Sequence, residues 1–104
     1  MKLRSLSAAE KEASEAALWY EDRRIGLGDE FFLALAETTA KIAATPSRFE
    51  VLPTSRAKGR VRRAPMSRFP YSVIYKLESD EIVVVAVAHA SRRPSYWEGR
   101  LHRR

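Results

Sequence analysis

Two apolar runs dominate the hydrophobic pattern: Tyr71-Ser-Val-Ile-Tyr75 and Ile82-Val-Val-Val-Ala-Val87. Both are rich in β-branched and aromatic residues, which pack well on a pleated surface. The short polar stretch Glu78-Ser-Asp-Glu81 between them has the length of a hairpin loop. The second run is nearly continuous in valine, so it predicts a central strand buried on both faces. Upstream, Lys2–Leu6 alternates polar and apolar, enough for a short first strand. Ser7-Ala-Ala-Glu10 matches a capping box and predicts a helix from Ala8 to about Arg24. Ala9, Ala13, Ala16, Ala17 and Tyr20 recur on it at helical spacing, a narrow stripe of mostly small residues that allows close approach of a neighbour.

Gly26-Leu-Gly28 breaks that helix, Gly26 suiting a left-handed cap. Asp29 and Glu30 open a second helix, their charge favourable near its N-terminus. It presents Phe31, Leu35, Thr38 and Ile42 on one face and ends at Pro46, which has no N–H for the ladder. The short loop makes the two helices an antiparallel hairpin. Phe49–Gly59, with Pro53 and Lys58, reads as an irregular, mobile loop. Arg60–Met66 reads as a strand interrupted late by Pro65, and Arg68-Phe-Pro70 as a tight corner. After Pro94, Ser95 caps one helical turn, and Leu101–Arg104 is a frayed basic tail with a solvated His102. The order is β-α-α-β-β-β. Connections too short for crossovers make the last three strands an antiparallel meander. The predicted class is α+β, a helical hairpin covering one face of an antiparallel sheet, with a short C-terminal helical turn.

Composition narrows the classes. A chain of 104 residues supports one domain, 1–104, with a single core. Without cysteine, disulfides and thiolate metal sites are excluded, and no metal or cofactor is expected. No signal-peptide pattern and no apolar run near the ~20 residues of a membrane span is present, so a soluble cytoplasmic protein with no membrane partner is expected. The net charge of +6 is unevenly placed. Residues 1–52 carry seven Lys/Arg and nine Asp/Glu, net −2, whereas residues 53–104 carry twelve and four, net +8. That asymmetry points to an anionic partner on one side.

The residues Trp19-Tyr20, Leu27-Gly28 with Phe31 or Phe32, Pro46, Arg62-Arg63, Arg68-Phe-Pro-Tyr71, Tyr75, Ile82–Val87, His89, Arg92-Arg93-Pro94 and Trp97 fall in the order and spacing of one known group. In these the chain resembles the RelE/ParE toxin superfamily from Leu3 to Arg100. The resemblance implies the toxin half of a bacterial type II toxin–antitoxin module, with the β-α-α-β-β-β fold. It also implies a cognate antitoxin, ParD-like or similar, in a hetero-oligomer. One branch cuts ribosome-bound mRNA; the other, ParE-like, poisons DNA gyrase. The nuclease branch commonly carries Tyr-Arg-x-x-Tyr at the third strand, where this chain has Tyr71-Ser72-Val-Ile-Tyr75. Ser72 in place of the arginine, and the Phe-Pro-Tyr corner, resemble the ParE branch.

Cleavage through a 2′-hydroxyl needs a base, a charge stabiliser and an acid. His89, Arg92, Arg93 and Tyr96 supply those parts in principle, and Tyr96 or Trp97 can stack on a base. A lone histidine ending a strand is more often a structural residue, bonded to a loop carbonyl. A binding role makes fewer demands on geometry: Arg92, Arg93, Trp97 and Arg100 would form a basic, aromatic target surface, extended by Arg62, Arg63 and Arg68 if these emerge on the same side. Those three arginines serve equally as charges that protect a strand edge. Leu18, Trp19 and Phe32 are the expected antitoxin contacts, in a groove between the helices and the sheet. Three functions follow: a gyrase-poisoning toxin first, a metal-independent mRNA endoribonuclease second, and a non-toxic antitoxin-binding protein third.

Overall fold

The strand β5 (Glu81–His89) contains six consecutive residues, Ile82–Val87, that are all buried. Water is excluded from both its faces, and the other elements arrange themselves to do so. A computed structural model describes residues 1–54 and 60–101. Before β5 come β1 (Lys2–Ser5), α1 (Ser7–Arg23), α2 (Leu27–Ala44), β2 (Glu50–Val51), β3 (Val61–Pro65) and β4 (Tyr71–Leu77). A 3-10 turn, Glu98–Arg100, follows it. The five strands form one sheet in the order β1-β5-β4-β3-β2.

The meander β3-β4-β5 is antiparallel, as the short connections require. The sheet as a whole is mixed, because β1 pairs parallel to β5 with Leu3 opposite Ile82 and Ser5 opposite Val84. That pairing fills the first part of the side of the central strand that β4 leaves free, from Glu81 to Val84. It also feeds the chain directly into α1 over the sheet. A further difference is β2, which pairs antiparallel with β3 inside the stretch expected to be a loop. Ser55–Gly59, including Lys58, lies outside the described residues, as do His102 and the two arginines after it.

One register irregularity shapes the sheet. Ile74 pairs with Ala86 and Tyr75 with Val84, leaving Val85 as an extra residue on β5. Such a bulge shifts the alternation by one position. Ile82, Val84 and Val87 therefore face the helices, whereas Val83, Val85 and Ala86 face the other way. The helical core joins Ala9, Ala13, Ala16 and Ala17 of α1 to Phe31, Ala34 and Ile42 of α2 and to Val73 and Tyr75 of β4. The opposite core is closed by the C-terminal segment, where Trp97 and Leu101 pack on Val61, Ile74, Val83 and Val85. The molecule thus has three layers, helices, sheet and C-terminal segment. Burying each of those two side chains contributes roughly 1.5–3 kcal/mol.

The helical hairpin is held by one carboxylate. Gly26 adopts φ 91°, the left-handed conformation expected of it. The N–H groups of Gly26 and Gly28 both donate to Glu21, at 3.0–3.1 Å. A side chain at residue 28 would place its Cβ 2.8 Å from the Ala17 carbonyl oxygen, so only glycine permits this helix approach. The expected capping box does not form. The Leu6 N–H is bound to the Val84 carbonyl at 2.9 Å, so Leu6 is the extended residue before α1 and Ser7 is already helical, without a capping bond. Ser95 likewise caps no helix. It has φ 70°, and Trp97 is the residue preceding the 3-10 turn.

Candidate functional site

The exposed loop Ala90–Ser95 leaves the end of β5 and turns the chain under the sheet. Beneath it, on the face away from the helices, lies a groove of about 330 Å³. Arg63, Ser72, His89, Arg92 and Arg93 supply its polar wall, and Leu52, Ile74, Pro94 and Trp97 its apolar one. Strand alternation explains which arginine of β3 reaches it. Arg63 sits opposite Ile74 and shares its face, whereas Arg62 sits opposite Tyr75 and points to the helical side.

His89 accepts the Ser91 N–H at Nδ1, at 2.9 Å, so Nε2 carries the proton of the neutral ring. Its ring meets Tyr71 edge-on, with centroids 4.9 Å apart. The Arg92 guanidinium lies over the Tyr96 ring, 3.7 Å from its centroid. Arg63 spends two donors on Glu50, at 2.9 and 3.1 Å, and a third on the Ser72 hydroxyl at 3.2 Å.

Behind this wall is a second, drier cluster. Because β1 pairs only as far as Val84, the edge of β5 beyond it has no strand partner. Side chains take its place. The Val87 N–H donates to Glu12 of α1 at 3.0 Å, and Arg100 donates to the Val85 carbonyl at 3.1 Å. Arg100 grips Glu12 with two further bonds, at 3.0 and 3.1 Å, and the Tyr96 hydroxyl donates to Glu12 at 2.7 Å. One carboxylate therefore accepts four hydrogen bonds and joins α1, β5 and the C-terminal segment. Burial, and then the Glu12 carboxylate, push the Tyr96 hydroxyl well above the usual tyrosine range. The bond to Glu12 also raises Arg100, against the opposing effect of burial.

The expected target surface accordingly divides. Arg92, Arg93 and Arg63 line the groove together with His89. Trp97 is only 5% exposed and is a core residue, because the C-terminal segment is the third layer of the fold. Arg100 is occupied by Glu12 and the β5 edge. Arg62 donates to the carbonyls of Ser47 and Phe49, at 3.0 and 2.7 Å, and fastens the connection after α2. Arg68 pairs with Glu30 of α2, beside the Phe69 ring, away from the groove.

On the helical side, Leu18 is 65%, Trp19 52% and Phe32 44% exposed. Trp19 borders a groove of about 600 Å³ with Glu12, Tyr20, Tyr71, His89 and Arg92. Phe32 borders another, of about 440 Å³, with Ala9, Ala13, Leu35 and Thr39, where the small stripe of α1 leaves room beside α2. Leu18 lines neither. His89 and Arg92 line both the Trp19 groove and the groove under the sheet. Glu12 escaped notice in the sequence; its signal was a carboxylate between Ala9 and Ala13, bordering the buried stripe.

Among the described residues no group of three His, Asp or Glu could hold a metal ion, and no helix is long and apolar enough to cross a membrane. In comparisons with known proteins, the family model for the ParE toxin of the parDE type II toxin–antitoxin system matches residues 4–94. No curated protein matches in sequence. Among solved structures, the chain is similar to one described as the chromosomal ParDE TA system from P. aeruginosa. The identity is 16%, the TM-score 0.69, and the alignment covers 86% of this chain and 95% of that one, a likeness of fold. The family match runs from Arg4 within β1 to Pro94 in the loop after β5, and the chain belongs to the ParE toxin family of type II toxin–antitoxin systems.

Proposed function

We propose that this chain arrests growth by binding DNA gyrase and trapping its cleaved DNA, and that a ParD-like antitoxin neutralises it. The observation that carries the choice of target is Ser72. Its hydroxyl accepts from Arg63 at the β4 position where the nuclease branch resembled here carries an arginine. The groove then has a neutral hydroxyl where a phosphate-stabilising guanidinium would emerge from that strand. Tyr96 is also a poor proton donor, since its hydroxyl is already given to Glu12. Among the described residues lining the groove, His89 then remains as the single acid–base group, whereas cleavage through a 2′-hydroxyl needs both a base and an acid. Exposed arginines around an apolar floor suit binding, where arginine is a frequent anchor.

The test is cleavage of supercoiled plasmid by purified gyrase in the presence of the chain. Accumulation of protein-linked broken DNA, weakened in Arg92→Ala and in Arg93→Ala, supports the proposal; unbroken DNA at all concentrations overturns it. The endoribonuclease reading retains one specific observation, that His89, Arg92 and Arg93 line the same groove. It predicts cut transcripts on translating ribosomes, abolished by His89→Ala.

The antitoxin-binding face proposed is the helical one. Leu18, Trp19 and Phe32 are exposed apolar side chains on a chain whose family comes as a toxin–antitoxin pair. A segment of the partner that orders on binding would cover them.

A further inference from the structure

We propose that Glu12 is a positioning residue for the toxic face: by fixing Tyr96 it provides the seat on which Arg92 is held toward the target. The inference rests on the reading that the Arg92 groove meets gyrase. Arg92 and Arg93 sit side by side on a loop whose residues 90–95 are all exposed. A long side chain there samples many rotamers and loses that freedom on binding. Arg92 alone of the two lies over an aromatic ring, at 3.7 Å from the Tyr96 centroid. That ring is itself fixed, because its hydroxyl donates to Glu12 at 2.7 Å. Glu12 is fixed in turn by Arg100 and by the Val87 N–H, so the chain of contacts ends in the backbone of the central strand. The sequence places these residues far apart. The fold brings α1 to the loop because β1 stops at Ser5, opposite Val84, and leaves the rest of the β5 edge for a side chain to satisfy. A guanidinium stacked in advance binds with less ordering cost than a free one.

The experiment compares Glu12→Gln, Tyr96→Phe, Arg92→Ala and the Glu12→Gln/Arg92→Ala double variant. Two readouts are used: the concentration giving half-maximal gyrase-dependent plasmid cleavage, and the proton NMR shifts of the Arg92 side chain. Stacked over Tyr96, the Arg92 δ-protons of the wild type should resonate upfield of those of an exposed arginine. The proposal expects that displacement to shrink both in Glu12→Gln, whose amide leaves one acceptor oxygen for four donors, and in Tyr96→Phe, which keeps the ring but loses its tether. It expects each single change to raise the required concentration about three- to tenfold. The double variant should be no weaker than Arg92→Ala alone, because both changes act through the same side chain. An unchanged Arg92 shift in folded Glu12→Gln, or losses that multiply in the double variant, overturns the proposal and leaves Glu12 a structural clasp. Should the wild type produce no gyrase cleavage, the functional reading falls, and the NMR arm by itself decides whether Glu12 positions Arg92.

Discussion

At the scale of single residues, the structure separates chemistry from support among side chains that look alike in the sequence. Trp97 is an aromatic in a basic segment, the composition of an interface, yet it is buried against Ile74 and Val85. Nothing periodic surrounds it, so only the tertiary docking of the segment decides which way it faces. Trp97→Ala should therefore cost about 3–5 kcal/mol of stability, read as a lowered urea midpoint, before any question of target binding arises. Arg62 and Arg63 were legible as a pair on a strand, and alternation required them to part. Which one reaches the groove depends on the register with Ile74 and Tyr75. A pH prediction belongs at this scale too. Hydrogen bonds from the N–H groups of Gly26 and Gly28 hold the Glu21 carboxyl below its ordinary value of 4.5. A carboxyl lowered by folding stabilises the native state above that value, and the contribution is lost as pH falls through the lower, folded-state pKa. Urea midpoints should fall as pH drops from about 5 toward 3, and Glu21→Gln should flatten part of that slope.

At the scale of elements, the β4–β5 hairpin and the helical hairpin were legible because their signals are local. Valine runs, a short polar loop and the Gly26-Leu-Gly28 break need no distant partner to be read. Three features were not legible. The parallel pairing of β1 with β5 joins residues almost 80 positions apart, and four residues of alternation carry no direction. The bulge at Val85 hides inside an unbroken apolar run, where every position is buried whichever face it takes. The C-terminal segment as a third layer depends on Trp97 and Leu101 finding the second face of β5. Gly28→Ala tests the helical hairpin. The added methyl meets the Ala17 carbonyl at 2.8 Å, so the helices must separate, at about 1–3 kcal/mol, measurable by thermal unfolding.

At the scale of the whole molecule, the two grooves proposed to bind partners meet at one rim. His89 and Arg92 line the groove under the sheet and also the Trp19 groove beside α1. A partner seated along α1 would reach the arginine that the proposed mechanism presents to gyrase, which gives neutralisation a direct physical route. The unequal charge of the two halves fits this division: eight of the thirteen Asp/Glu lie on the two helices, and among the described residues of the basic half Arg62, Arg63, Arg92 and Arg93 lie on the sheet and its final loop. Trp19→Ala should weaken antitoxin binding by about tenfold or more, by titration calorimetry, while growth arrest persists. Loss of toxicity with antitoxin affinity intact would reverse the roles of the two faces. The most direct test of the central claim is made in cells. The chain is induced without its antitoxin, and plasmid DNA and total RNA are isolated as growth stops. A gyrase-poisoning toxin leaves gyrase-linked DNA breaks with transcripts intact. Transcripts cut within translated codons, with the DNA unbroken, would contradict that reading.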